Sequence, residues 1–93
     1  MNLKFRSSLS RDCVVQPVDG LFLVFFRPSG QTHLLPVQSF ALLELLDENS
    51  LSVPEIPAAL AARYDVEPEV GIEGVVERQL RELQAAGLVE AAT

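Results

Sequence analysis

The feature that most constrains the fold of this chain is a series of three short strand-like segments, separated by two turn signals, in its first third. Residues 13–18 and 21–26 flank Asp19-Gly20, which suits a two-residue hairpin turn because glycine takes positive φ at little cost. The second signal is Arg-Pro-Ser-Gly over residues 27–30, with proline and glycine at favoured turn positions, and residues 31–35 follow it. The sequence therefore predicts a three-stranded antiparallel meander with residues 21–26 as its middle strand.

The two edges of this predicted sheet differ. Pro17 lies inside the first strand, where it removes a backbone donor and spoils the edge for further pairing. The third strand contains no proline before Pro36, so its edge can accept another extended peptide as a fourth strand. We therefore expect a binding function at the third strand, and the same free edge allows a homodimer by self-pairing.

Alternate residues of an edge strand direct their amides towards the neighbouring strand and towards solvent. In the third strand, Thr32 and Leu34 therefore share one direction, and His33 and Leu35 share the other. The sequence leaves open which of these two pairs points outward.

The middle strand is apolar at every position from Leu21 to Phe26. Strands that are apolar on both faces are usually central and covered on both sides. We therefore expect both faces of this sheet to pack against other elements.

The remainder of the chain carries helical patterns. Apolar spacing and end signals predict three helices, over residues 37–46, 53–64 and 69–86. Ser52 and Glu55 form a capping box before the second helix, in which Pro57 should cost one helical hydrogen bond. Gly87 ends the third helix, and a short return strand or extended tail follows. Because strands and helices are segregated, the fold class is α+β with a winged-helix-like shape.

Length and composition predict one domain over residues 1–93, in which the mixed, polar residues 1–10 are a candidate flexible segment. Cys13 is the only cysteine, which excludes an internal disulfide and suits a reducing compartment. The longest apolar run is far shorter than the ~20 residues of a membrane span. We therefore expect a cytoplasmic protein that does not enter a membrane.

The net charge of −6 is unevenly distributed. Residues 1–40 carry four basic and two acidic side chains, a net charge of +2, whereas residues 41–93 carry three basic and eleven acidic ones, a net charge of −8. The helical half would repel nucleic acid and anionic membrane surfaces. It would not repel a neutral or basic peptide.

The sequence contains no catalytic or metal-binding constellation. His33 is the only histidine and Cys13 the only other soft ligand, and this pair does not make a zinc site. No basic residue is spaced to activate the Cys13 thiol, which we therefore interpret as an ordinary strand residue. We expect no catalytic residue, no metal and no cofactor.

Gln79 is the polar residue of most interest, because helical spacing places it between Val76 and Leu83 on the apolar face of the third helix. One interpretation is that Gln79 simply borders the core. The other is that it overlooks a groove beside the open strand edge, with Val75 and Glu82 on the same flank, where its amide can bond a peptide backbone.

The order and spacing of several segments resemble the PqqD-like family, and most closely the branch found with HPr-kinase-related proteins, the HPr-rel-A system peptide chaperones. The segments that carry this resemblance are His33-Leu34-Leu35, Ala41 to Asp47, Ser52 to Ile56, Ala58 to Tyr64, Leu80 to Leu83 and Gly87 to Val89. The resemblance covers roughly residues 13–90 and implies a three-stranded sheet followed by three helices.

The resemblance also implies a function. Such domains are recognition elements for ribosomally made, modified peptides: they bind the leader of a precursor peptide and present it to a modifying enzyme. In the family the leader adds as a strand to the third strand and packs against the third helix. On this chain the implied peptide contacts are Gln31, Thr32, His33, Leu34, Leu35, Val75, Gln79 and Glu82.

Two other functions compete with this expectation. A winged-helix DNA-binding regulator would use the third helix for recognition, but that helix carries four glutamates and two arginines, the wrong sign for DNA. A small docking subunit of an enzyme complex would bind the enzyme and show no affinity for a short peptide.

Overall fold

Strands lie mainly in the first half of the chain and helices mainly in the second. The computed structural model describes residues 3–64 and 72–92. In chain order these residues form β1 (Lys4–Ser7), α1 (Leu9–Asp12), β2 (Cys13–Val18), β3 (Leu21–Phe26), β4 (Gln31–Pro36), α2 (Val37–Glu48), β5 (Leu51–Ser52), a 3-10 turn (Val53–Glu55), α3 (Ile56–Arg63), α4 (Ile72–Ala85) and β6 (Val89–Ala92). The α+β class is confirmed, and the sheet followed by three main helices is consistent with a winged-helix comparison.

The predicted meander is confirmed as an antiparallel sheet in the order β2-β3-β4. Asp19 and Gly20 have φ angles of 46° and 79°, as in the type I′ turn, whose twist matches that of the strands it joins. β3 pairs along its whole length with both neighbours, from Cys13↔Phe26 to Val18↔Leu21 and from Leu21↔Pro36 to Phe26↔Gln31.

A second sheet, which no sequence pattern predicted, brings the two ends of the chain together. β1 is its central strand and pairs antiparallel with β5 and β6. The segment 1–10, which the sequence analysis gave as a candidate flexible segment, contains the strand Lys4–Ser7 and the start of the helical turn Leu9–Asp12. The return strand expected after Gly87 is β6.

The pairing of β1 depends on a partner more than eighty residues away. Within β1, Phe5 and Ser7 are half-buried while Lys4 and Arg6 are exposed. Four residues with two charges give too weak a local pattern to predict a strand. The strand forms because β6 pairs with it, and Arg6 donates a hydrogen bond of 2.9 Å to Glu90 across the pair.

Helix α2 is the centre of the core. Leu42, Leu43 and Leu46 are at most 1% exposed, and buried side chains occupy most of the helix circumference, as predicted. Phe40 stacks on Phe22 of β3 with ring centroids 4.0 Å apart. Other elements contribute Val24, Ile56, Val76, Leu80, Leu83, Leu88 and Val89 to the same core.

The expectation that both faces of the middle strand are covered is wrong. On the face that meets α2, Val24 is 0% exposed, whereas on the opposite face Phe25 is 38% exposed. Outside its own sheet, β3 packs mainly on α2 among the described elements, and a single helix covers only one face of a sheet. The apolar residues of the other face therefore remain at the surface.

The predicted capping box is confirmed, but Pro57 is better accommodated than expected. Glu55 Oε1 accepts hydrogen bonds from the Ser52 backbone N–H at 2.9 Å and from the Ser52 hydroxyl at 2.8 Å. These bonds, the backbone one first, lower the pKa of Glu55. A 3-10 turn precedes α3, so Pro57 lies in the first turn of that helix. First-turn amides have no helical partner, and Pro57 therefore costs no hydrogen bond.

Helix α4 ends as predicted at Gly87, whose φ is +82°; its predicted start at residue 69 lies outside the described residues. The Leu88 N–H bonds the Leu83 carbonyl at 2.9 Å, and the Gly87 N–H bonds the Gln84 carbonyl at 3.0 Å. These two bonds make a Schellman motif. Leu83 and Leu88 are both buried, so the motif also directs the chain back into the core towards β6.

Two glycines of this region should respond in opposite ways to substitution by alanine. Gly87→Ala should lower the free energy of unfolding by about 1 kcal/mol, because alanine is strained at positive φ. Gly74→Ala should raise it by about 0.5–1 kcal/mol, since Gly74 lies in α4 with open space where an added Cβ atom would stand. Urea denaturation followed by circular dichroism measures both. Equal effects of the two substitutions would contradict the assigned helix end.

Candidate functional site

The candidate site begins at the free edge of the meander. Within the described residues, β2 forms one edge of this sheet and β4 forms the other, and β3 is the only strand that pairs with β4. The five candidate residues of β4 therefore lie on one continuous edge strand: Gln31, Thr32, His33, Leu34 and Leu35. What this edge can bind depends on which of its backbone groups point outward.

A single backbone hydrogen bond fixes the direction of the amides in the whole sheet. The Arg27 N–H bonds the Asp12 carbonyl at 2.9 Å, one position beyond the Cys13↔Phe26 pair. Hydrogen-bonded and non-hydrogen-bonded pairs alternate along an antiparallel ladder. Cys13↔Phe26 is therefore a non-hydrogen-bonded pair, and the backbone groups of Phe26 point towards β4.

The same alternation then runs along β4. Gln31, His33 and Leu35 face Phe26, Val24 and Phe22 and exchange hydrogen bonds with β3. The N–H and C=O groups of Thr32 and Leu34 consequently point away from the sheet. The direction that the sequence left open is thus settled by the pairing.

Both prolines at the sheet edges fit this alternation. Pro36 of β4 lies opposite Leu21, and Pro17 of β2 lies opposite Phe22. Both are non-hydrogen-bonded pairs, so the backbone groups of both prolines point away from β3. Neither proline therefore removes a bond from the ladder. Pro17 lies in the middle of the β2 edge, whereas Pro36 is the last residue of β4, so β4 is the less interrupted edge.

The side chains of β4 alternate between the two faces of the sheet. His33 and Leu35 are half-buried on the face that meets α2, while Thr32 and Leu34 are exposed on the other. The Nε2 atom of His33 is buried and has no hydrogen-bond partner among the described residues. A buried polar atom without a partner is costly, so this imidazole can gain from a ligand that reaches it.

The candidate residues of α4 lie on one flank of the helix. Val75 and Glu82 are exposed, and Gln79 is half-buried beside the buried Val76 and Leu83. Gln79 thus borders the core and also reaches the surface, as both interpretations of its position require.

The C-terminal end of α4 lies beside β3, the strand that pairs with β4. A Cβ atom added to Gly87 would lie 3.5 Å from Cε2 of Phe26, and Phe26 pairs with Gln31 at the start of β4. Elsewhere β4 packs mainly on β3 and α2, while α4 packs mainly on α3, the 3-10 turn and β6. The end of α4 is therefore separated from β4 by one strand, and neither α4 nor β4 is the main packing partner of the other.

The opposite flank of α4 borders a cleft that no sequence pattern identified. The cleft lies between Phe5 and Pro54 on one side and Arg81 on the other. Arg81 bonds Glu77 at 2.6 Å at its rim. The cleft escaped prediction because Phe5 reaches it only through the unpredicted strand β1.

The chemistry of Cys13 argues against a nucleophilic role. Partial burial raises the pKa of the Cys13 thiol, and the negative charges of Asp12 and Asp47 raise it further. A reactive cysteine needs the opposite shift, because the thiolate is the nucleophile. Among the described residues, no group of three or more His, Cys, Asp or Glu side chains is placed to hold a metal ion.

A comparison with protein families identifies the kind of domain. The model for Coenzyme PQQ synthesis protein D (PqqD) matches residues 23–89, which is most of the chain. The chain belongs to the PqqD family. The matched region includes every candidate residue of β4 and α4, and it identifies the family without distinguishing the HPr-kinase-related branch within it. No curated protein and no solved structure matches this PqqD-family chain significantly.

The described helices of this PqqD-family domain are all too short or too polar to cross a membrane.

The amide directions along β4 can be tested by proline substitution. Thr32→Pro should leave the free energy of unfolding within about 1 kcal/mol of the wild-type value, because the Thr32 amide has no partner in the sheet. His33→Pro should lower the free energy of unfolding by about 1–3 kcal/mol more than Thr32→Pro does, because the backbone hydrogen bond to Val24 is lost. Urea denaturation followed by circular dichroism checks this order, and the reverse order would show that the opposite set of amides points outward.

Proposed function

We propose that this domain is a non-enzymatic peptide chaperone that captures the leader of a ribosomally made precursor peptide and presents it to a modifying enzyme. Proteins of the PqqD family are non-catalytic accessory proteins of a biosynthetic pathway, which supports the general role. The observation that carries the specific role is the free edge of β4, where the backbone groups of Thr32 and Leu34 point outward. The leader adds there as a fourth strand.

Backbone bonding to this edge is not sufficient for tight binding. Thr32 and Leu34 together offer two donors and two acceptors, worth about 2–6 kcal/mol in net hydrogen-bond energy. A micromolar complex needs about 8 kcal/mol, and ordering a flexible peptide adds a further cost. The bound peptide must therefore bury side chains as well, and the flank of α4 formed by Val75, Gln79 and Glu82 is the surface proposed for them.

The two faces of an added strand meet different surroundings. On the inner face, peptide side chains lie beside His33 and Leu35, at the Cβ separations of about 4.5–5.5 Å typical of cross-strand pairs. A polar peptide residue opposite His33 can satisfy its unpartnered Nε2 atom, and an apolar one suits Leu35. On the outer face, the peptide lies beside the exposed Leu34.

Charge further restricts the ligand. Residues 41–93 carry a net charge of −8, and Glu82 lies on the proposed flank itself. An acidic peptide would be repelled. A neutral or basic leader fits. A single cysteine suits a reducing compartment, which supports the proposal that the encounter takes place in the cytoplasm.

The DNA-binding alternative has little support. The described part of α4 carries Glu73, Glu77 and Glu82 against Arg78 and Arg81. Phosphate contacts require a basic recognition helix. The docking-subunit alternative differs from the chaperone in one respect that can be measured, since it predicts no affinity for an isolated peptide.

Peptide binding can be tested with ligands selected from a displayed library of random linear peptides. A selected peptide should bind the wild-type domain in calorimetry, and Thr32→Pro should abolish binding while leaving the domain folded, because the added strand loses a donor and meets the proline ring. Pro17 already interrupts the β2 edge, so Gln16→Ala on that strand serves as a control that should bind normally.

Failure to select any peptide, or full affinity in folded Thr32→Pro, would contradict strand addition at β4. A salt-sensitive gel shift with duplex DNA would instead support the regulator.

The role of the α4 flank can be tested at Gln79. Gln79→Ala should weaken binding of the selected peptide by about 1 kcal/mol if its amide bonds the peptide backbone, with little change in stability. Leu83→Ala, one turn further along and buried, should instead lower the free energy of unfolding by about 2–5 kcal/mol. Calorimetry and thermal denaturation separate the two effects. Lower stability with unchanged affinity in Gln79→Ala would assign Gln79 to the edge of the core.

A further inference from the structure

The uncovered face of the meander is an apolar surface that lies mostly outside the proposed peptide site, which shares only Thr32 and Leu34 with it. We call this surface the outer sheet face. Its nine residues are Val14, Gln16 and Val18 of β2, Leu21, Leu23 and Phe25 of β3, and Thr32, Leu34 and Pro36 of β4. None of its nine side chains is charged. Val14 is 49% exposed, Phe25 38% and Leu34 56%. A contiguous exposed patch of this kind marks an interaction surface.

The size of the outer sheet face limits what it can bind on its own. Three strands of six residues present a flat area of about 14 × 20 Å, or about 300 Å². A stable interface buries about 800 Å² on each partner. The surface is therefore suited to a weak, reversible contact.

The distribution of charge indicates a second copy of the chain as the occupant. Helix α2 packs on the inner face of the sheet, α3 packs on α2, and α4 packs on α3. These helices carry most of the acidic residues in the described part of the chain. Two copies that approached through their helices would meet like charge. Two copies that approach through their uncharged outer sheet faces keep these acidic surfaces apart.

The ends of β3 add complementarity to this contact. Asp19 lies in the turn before β3 and Arg27 in the turn after it, both exposed. Neither takes part in an ion pair within the described residues. When two sheets stack with their β3 strands antiparallel, Asp19 of each copy lies opposite Arg27 of the other. The same two-fold arrangement places two attractive pairs around one apolar centre.

We propose that the outer sheet face is a self-association surface, through which two copies form a weak dimer by stacking sheet on sheet with antiparallel β3 strands. Aligned stacking of this kind is common between sheets. The outward backbone groups of Thr32 and Leu34 lie at the rim of this contact, so the β4 edge stays free. The dimer therefore leaves unoccupied the backbone groups that the proposed peptide binding needs.

Sedimentation equilibrium of the full chain over increasing concentration tests the dimer. The weight-average mass should rise towards that of a dimer in the wild-type protein. Val14→Lys should weaken the association roughly tenfold or more, because it places a charge in the apolar contact. Val75→Lys is the matched control, since Val75 is equally exposed, at 48%, but lies on α4. Val18→Lys provides a second variant of the same face, and circular dichroism confirms folding.

The orientation is tested by cross-linking. In the Arg27→Lys variant, a zero-length carbodiimide should join the Asp19 carboxylate of one copy to the introduced amine of the other. A β-strand of six residues separates the two positions within one chain by about 20 Å, so only an intermolecular link can form. Mixing isotopically light and heavy protein should then give mixed-label cross-linked peptides in mass spectrometry.

Three results would overturn the proposal: a monomer at every concentration, equal weakening by Val14→Lys and Val75→Lys, or an intact dimer without the mixed-label link. None of these results bears on peptide affinity, which is measured separately.

Discussion

The packing of α2 against the inner face of the meander is the interaction on which the rest of the structure depends. The stacked rings of Phe22 and Phe40 join the middle strand to the helix. On another side, the Ser7 hydroxyl bonds the Leu43 carbonyl at 2.7 Å and ties β1 to the same helix. The leucines of α2 are shared by both sheets and the later helices, so this helix organises every layer of the domain.

This central position of α2 has a direct consequence for the surface. Because α2 covers only the inner face, the outer face and the edge of the same sheet remain available for binding. The proposed peptide binding uses the backbone groups of β4, and the proposed self-association uses the side chains of the outer sheet face. The two surfaces meet at the exposed strand residues Thr32 and Leu34, whose backbone groups belong to the edge and whose side chains belong to the face.

The sheet formed by β1, β5 and β6 positions the other half of the candidate site. The Schellman motif at Gly87 turns the chain from α4 into β6, and β6 is held by β1. This connection fixes the end of α4 beside Phe26, which pairs with Gln31 at the start of β4. The relative position of the α4 flank and the β4 edge that are proposed to bind the peptide therefore depends on the pairing of β1 with β6.

The sequence by itself determined the features whose energies are local. The Asp19-Gly20 turn, the three strands of the meander, the Ser52–Glu55 capping box and the end of α4 each depend on a few neighbouring residues, and all are present. The third strand of the meander, β4, was also predicted from local signals, the turn before it and the proline at its end. The tertiary structure decided that β1 forms a strand, that Phe25 is left at the surface and that Thr32 and Leu34 point outward. These features depend on contacts and pairing registers between segments that are distant in the sequence. The free energy of such contacts cannot be derived from the pattern of neighbouring residues.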